Sequence, residues 1–322
     1  MANSDYSYAQ VKSGNGTYKY EGPSASYSDG VKTLQTRLSN CGYILSIDGY
    51  FAASTRLAVR RFQRTIFGMS SSSVDGVVGK NTLTALDAVY QSDAFKYGAS
   101  ICSDPSLWTR NTLATSGWWN TTDKRIDALA RVIFAEDNDN NNARQGVARV
   151  IYNRSSRSAF KNPNASNKWM GVITCESQYS TVPSSAWTCD MSDGYDAWPS
   201  DGTKQRALVP RRGSSSGSYI NAAWNNAVSL AKALVNGSAI STALGYPITY
   251  NSNGSVTVGS TANRSMSSNH LYQVDYSKFL DWINKGYTMT EVLNYTGEKD
   301  GNVFLVRLSL IHISEPTRHA QI

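Results

Sequence analysis

Glu136 closes an apolar helical run, "ALARVIFAE", and is followed at once by a patch of acids and amides, "DNDNNN". Ile126, Leu129, Ala130 and Ile133 recur at helical spacing, and Glu136 falls near their stripe because an α-helix advances about 100° per residue. A carboxyl group at the C-terminal end of a helix meets the negative pole of the helix dipole, and apolar surroundings disfavour its charged form. Asp137 and Asp139 push the same way when ionised. The expectation is a raised pKa and a proton donor that works near neutral pH. A solvated glutamate at a frayed helix end is the other reading that position alone leaves open. Calcium binding by the patch is disfavoured, since the sixth place counted from Asp137 is not Gly and the twelfth is Ala148.

Other chemistry is sparsely supplied. Cys41, Cys102, Cys175 and Cys189 show no CxxC spacing, so neither a thiol redox motif nor a zinc ribbon is spelled, and buried free thiols are expected. A disulfide between Cys175 and Cys189 stays open, because spacing alone does not bring the two together. The segment "LSLIHISEPTR", residues 308–318, resembles a translated sequencing adapter, which implies that the natural C-terminus is missing beyond Arg307. Setting 308–322 aside removes one Arg and one Glu, so the net charge stays at +7; it also removes His312 and His319 and leaves His270 alone. One histidine makes a zinc amidase hard to assemble, whereas a cysteine peptidase could count on Cys175 or Cys189 with His270. No metal and no cofactor is expected.

With 322 residues and 40% hydrophobic content, the chain can bury at least one sizeable core and is expected to hold two domains. The charge of +7 favours an anionic partner. Scattered Lys and Arg and the lack of any zinc-finger, helix-turn-helix or RNA-binding signature argue against nucleic acid. No run of about 18 apolar residues is present, and the start "MANSDYSYAQ" lacks the layout of a secretory signal. A monomer without a membrane span is expected.

Residues 1–28, rich in Ser, Tyr and Gly without an apolar period, read as a flexible leader. Val31, Leu34 and Leu38 then mark a first helix that "NCGY" stops. A second follows in "STRLAVRRFQRTIF", where Ser54 or Thr55 offers an N-cap and Ala58, Val59 and Phe62 oppose Arg56, Arg60 and Arg61. A third lies in "NTLTALDAV". Two Asp-Gly turns, Asp48-Gly49 and Asp75-Gly76, separate them. The ordered pieces "VKTLQTRLSNCGY", "IDGYF", "RRFQ" and "VDGVVGKNTLTAL" resemble a peptidoglycan-binding domain of bacterial wall enzymes, set at residues 29–90. The resemblance implies a three-helix bundle that anchors the chain to peptidoglycan, with Asp48, Gly49, Tyr50, Asp75 and Gly76 at its turns. Ala52 stands where that family usually has Gly.

Residues 91–122 read as a linker partly packed on the next domain, which is set at 123–285. Here "ALARVIFAE", "NARQGVARVIYNR", "WMGVITCESQYS", "NAAWNNAVSLAKALVNGSA", "PITYNSN" and "SSNHLYQ" resemble, in order, the SleB-type cell wall hydrolases of spore cortex lysis and germination. That family usually shows a further acid and Gly-Glu where "DNDNNN" stands. The resemblance implies a lysozyme-like, helix-rich domain with a small β element, so the whole chain is expected to be mainly α, in the α+β class. It also implies cleavage between N-acetylmuramic acid and N-acetylglucosamine, with Glu136 as acid/base in a lytic transglycosylase. Gln178, Tyr179, Ser180, Tyr250, Asn251, Asn269 and His270 are implied to line the saccharide groove, although each taken alone is as readily a structural residue. For a hydrolytic reaction, Asp190, Asp193 or Asp196 offers a second carboxylate. Spore cortex, vegetative wall and a phage host's wall are all open as targets. An amidase, a wall peptidase and a non-catalytic binding protein are the rivals. Residues 286–307 read as the start of a further, truncated module.

Overall fold

The computed structural model describes residues 1–67, 72–98, 105–187, 207–208, 219 and 221–307. Cys102, Cys189, Asp190, Asp193, Asp196 and the adapter-like tail lie outside the described residues, so the expectations placed on them rest on sequence alone. The fold is helix-rich α+β, with ten α-helices and one five-stranded antiparallel sheet among the described residues.

The first unit is built from α1 (Tyr8–Ser13), α2 (Asp29–Asn40), α3 (Ala53–Phe67) and α4 (Lys80–Val89) around Val31, Leu34, Leu38, Val59, Phe62, Leu83 and Leu86. Ser28 caps α2 by accepting from Val31 N, while Thr55 sits inside α3 and so caps nothing. Arg61 is buried along with Phe62, against the two-faced expectation for α3. The leader is folded too: Val11 and Tyr18 are fully buried, and Tyr18 exchanges two backbone hydrogen bonds with Val78. Its apolar side chains enter the core one at a time, which leaves no period to read.

A repeated device holds the two Asp-Gly turns. Gln35 of α2 is fully buried; its amide donates to Asp48 Oδ1, the Tyr50 carbonyl and Thr55 Oγ1, while its carbonyl accepts from Asp48 N and Gly49 N. Gln63 of α3 repeats the set with Asp75 Oδ1, the Val77 carbonyl, Thr82 Oγ1 and Gly76 N. Gly49 and Gly76 adopt φ of 81° and 77°, a region that favours glycine. Each turn is thereby pinned to a helix by one glutamine.

The second unit gathers α5 (Arg110–Thr115), α6 (Thr122–Glu136), α7 (Asn141–Arg154), α8 (Lys168–Ile173) and α9 (Ala222–Val235). The sheet comprises β1 (Tyr246–Tyr250), β2 (Val256–Val258), β3 (Tyr272–Asp275), β4 (Met289–Asn294) and β5 (Asn302–Arg307), in the order β2-β1-β4-β5-β3, and α10 (Tyr276–Asn284) follows β3. Two boundaries differ from expectation. Trp108, Leu113 and Trp119, placed in a linker, are fully buried in this core, with Trp108 Nε1 donating to the Thr181 carbonyl at 2.8 Å. Residues 286–307 start no further module: they supply β4 and β5 at the middle of the sheet, and Val303, Phe304 and Leu305 are fully buried. Pairing between distant strands has no local signature, so a cut at 285 divided one sheet. Gly146 lets α7 approach that sheet, since a Cβ there would meet the Phe304 ring at 2.7 Å.

Gln63→Leu removes the acceptor of the buried Gly76 N–H, and is expected to cost about 1–3 kcal/mol. Gln35→Leu should cost a similar amount at the other turn, and urea denaturation of both variants measures the losses.

Candidate active site

Thr121 caps α6 at its start, and ten of the helix's residues, from Ile126 to Ala135, are buried. Glu136, its last residue, emerges from that buried run half-exposed into a cavity of about 530 Å³. Thr181 Oγ1 donates to Glu136 Oε1 at 2.9 Å, and Gln273 Nε2 donates to Oε2 at 3.1 Å. Asn302 Nδ2 donates to the Glu136 carbonyl at 3.1 Å and to Asp137 Oδ2 at 3.2 Å, which satisfies one of the free acceptors at the helix end. The carboxyl group is therefore oriented from both of its oxygens.

Its two partners can act as donor or acceptor. A threonine hydroxyl rotates, and a glutamine amide exchanges donor for acceptor by turning about its last torsion. Gln273 Oε1 is buried and unpartnered among the described residues, so the turned amide would offer an acceptor to a protonated Glu136. Such a cradle serves the carboxyl group in either protonation state, as an arginine or lysine would not.

The "DNDNNN" patch forms the corner between α6 and α7. Asp137 Oδ1 accepts from Asp139 N and Asn140 N, and the Asn140 side chain caps α7 by accepting from Asn142 N and Ala143 N. Asn140 Nδ2 also donates to the Tyr295 carbonyl at 3.2 Å. The polar run thus turns the chain sharply beside Glu136.

Gln178 and Ser180 line the cavity with Glu136, as do Thr181, Gln273 and Asp275. Tyr179 is buried behind them, with the Arg154 guanidinium 5.4 Å from its ring centre; burial pushes its phenol up, and the Arg154 charge opposes this. Ser177, also on the wall, holds φ at 60°, an unusual value for a residue with a side chain.

Four expected groove residues do structural work elsewhere. The Tyr250 hydroxyl donates to the Met289 carbonyl and accepts from Met289 N, both at 2.6 Å, and the ring packs edge-on against Phe279. Asn251 closes the β1–β2 turn onto Ser255. Asn269 accepts from Arg157 Nη2 at the surface. His270 is fully buried: Nδ1 accepts the Ser267 N–H and Nε2 donates to the Glu291 carbonyl, each at 2.9 Å. Glu291, with φ at 51°, sits where the β4–β5 register shifts, so this histidine pins a bulge. Gln273, three residues beyond it and one residue from the sheet's edge-strand start, carries the contact instead, and its alternation with Asp275 along β3 was a readable signal.

In the first unit, Asp48 and Asp75 cap their own turns, Gly49 and Gly76 are buried, and Tyr50 is exposed beside Tyr27, their ring centres 5.8 Å apart. Among the described residues, no three His, Cys, Asp or Glu side chains converge on a metal position, and no helix is long and apolar enough to cross a membrane.

The described residues thus hold an N-terminal helical bundle with exposed tyrosines and a second, mixed unit in which the Glu136 carboxyl group faces a polar cleft. More particularly, residues 27–86 match the family model of a peptidoglycan binding domain. Peptidoglycan is therefore a partner of this chain, which ties it to the cell wall. No curated protein and no solved structure matches it.

Burial pushes His270 below its ordinary value of 6.5, against the pull of Glu291. The folded state thus keeps the ring neutral, and stability is complete above 6.5 and lost as pH falls and the unfolded chain takes up the proton. Urea midpoints measured from pH 8 downward should fall below pH 6.5, before carboxylates titrate near about pH 4, and His270→Gln should flatten that part of the curve.

Proposed function

We propose that the second unit cleaves the glycan strand of peptidoglycan between N-acetylmuramic acid and N-acetylglucosamine, as a lytic transglycosylase. The observation that carries this reading is the carboxyl group of Glu136, cradled by Thr181 and Gln273 in a polar cleft on a chain that also bears a wall-binding module. The ordered likeness to SleB-type hydrolases supports the same assignment.

Protonated Glu136 donates its proton to the glycosidic oxygen. The C1–O bond breaks, its electron pair leaves with the N-acetylglucosamine hydroxyl, and an oxocarbenium centre forms at C1 of the muramic acid. The C6 hydroxyl of that sugar closes on C1 while Glu136 takes its proton, giving a 1,6-anhydro ring and restoring the acid. The ambivalent partners follow Glu136 through both states.

Asp275 lines the same cavity, and its ionised form would oppose the positive charge at C1. The Ser277 hydroxyl, with the Lys278 and Ser277 N–H groups at the start of α10, holds its carboxyl below the usual range against the effect of burial. Those same bonds make it a weak base for activating water, which favours the intramolecular C6 hydroxyl over hydrolysis.

The peptidase reading is weakened on two counts. Burial pushes the Cys175 thiol up, the opposite of what a thiolate nucleophile needs, and both ring nitrogens of His270 are engaged. The latter also leaves no ring nitrogen for zinc.

Digestion of purified peptidoglycan followed by mass spectrometry should yield anhydro-muropeptides, and Glu136→Gln should lower their yield by about 10²–10⁴-fold with the fold retained. Reducing muramic acid ends would mark a muramidase, and free stem peptides an amidase or peptidase. Wall binding without any release would make the chain a binding protein.

A further inference from the structure

A second cavity, of about 430 Å³, adjoins the one at Glu136 and shares Gln178, Gln273, Lys278 and Trp282 with it, so the two form one continuous groove. Among the described residues no acid lines this second part, which adds Arg154, Tyr272, Lys285 and Tyr287. We propose that it holds a carboxylate of the peptidoglycan stem peptide, a placement that rests on the glycan-cleaving reading of Glu136.

Arg154 anchors the subsite. It is 2% exposed and lies between the rings of Phe160 and Tyr179, 5.3 and 5.4 Å from their centres. Its Nε donates to the Leu271 carbonyl at 2.7 Å, and the guanidinium lies beside the buried Tyr179 phenol. The guanidinium lines the cavity and gives its wall a fixed positive charge, and a planar carboxylate is the anion that suits it best. At the mouth, Lys278 and Lys285 share one counter-ion, Asp281, at 3.4 and 2.9 Å, so the cations outnumber it. Trp282 stands edge-on to Tyr272 and Tyr287, 6.2 and 5.9 Å between ring centres, and offers an apolar wall to aliphatic side chains.

The glycan repeat is uncharged apart from the lactyl arm of muramic acid, and the stem peptide is attached through that arm. The peptide therefore leaves the same sugar ring whose C1 would sit at Glu136, and it carries the free carboxylates. A basic, aromatic cavity continuous with the Glu136 cleft has the charge for such an occupant and the room for more than a lactyl group.

Calorimetric titration of the Glu136→Gln protein tests this without cleavage. Three muramic acid–containing tetrasaccharides serve as probes: one with its stem peptides, one with the peptide carboxyls amidated, and one stripped of peptide so that only lactyl carboxylates remain. The peptide-bearing form should bind about tenfold tighter than either of the others, the equivalent of one charged contact. Lys278→Gln/Lys285→Gln, two exposed positions whose replacement leaves the core intact, should close most of that gap. Equal affinities, or a gap unchanged in the double variant, would overturn the proposal, and so would a stripped probe that binds as tightly as the peptide-bearing one. Digestion by the wild-type chain reports separately on glycan cleavage, since anhydro products formed with no peptide preference would leave that reading standing and remove only the subsite.

Discussion

The end of α6 is held by groups that arrive from three distant parts of the chain. Thr181 and Gln273 reach the Glu136 carboxyl across 45 and 137 residues, and Asn302 reaches its carbonyl across 166. Each contact is an ordinary hydrogen bond of modest net value. Their convergence is what matters, because all three are made together only when the segment after α8, the strand β3 and the strand β5 are in place. The position of this one carboxyl group is a property of the whole second unit.

Much of the remaining architecture can be understood as fixing those segments. The last turn of α7 grips the approach to β3: Asn153 Nδ2 donates to the Ser267 and His270 carbonyls, and Arg154 Nε to that of Leu271. His270 then ties the same loop to the bulge of β4. Gln273 comes two residues after this clamp, so its reach to Glu136 is set by α7 and β4 together. In the middle of α6, Asp127 and Arg131 form a buried ion pair, with Asp127 accepting from Gly98 N and Arg131 donating to the Ala207 and Leu208 carbonyls. A pair of that kind is weak evidence of stability, yet breaking it strands a charge, so it locks the helix to both neighbouring segments.

What could be read from sequence was whatever repeats locally. The α6 stripe, its end at Glu136 and the two Asp-Gly turns obey short-range periods and turn chemistry, and the structure keeps all of them. What escaped was long-range. Tyr250 and His270 were placed in the groove by family resemblance, but their partners, Met289 and Glu291, lie in a strand that sequence had assigned to another module. Gln273 was passed over although it alternates with Asp275 along β3, since that alternation marks a shared face of the strand and not the partner the face meets. Val11, Tyr18, Trp108 and Trp119 were missed because they enter their cores singly, without the recurrence that marks a helix or strand.

The passage between the two cores is short, and that bears on how a wall-binding module could assist a cleft. Phe95 belongs to the first core and Tyr97 to the second. Around them, Lys232 of α9 pairs with Asp93, and Trp224 Nε1 donates to the Ala94 carbonyl at 3.1 Å. A long flexible tether raises local substrate concentration over a wide volume, and the gain falls as the linker lengthens. A junction of this length, tied on both sides by side chains of α9, concentrates the effect instead on strands lying at one fixed offset from the bound segment. Under the glycan-cleaving proposal, the exposed rings of Tyr20, Tyr27 and Tyr50 on the module and the Glu136 groove would address a single extended polymer at two points. On that proposal, binding at the first point would select which bonds of the strand the second can reach.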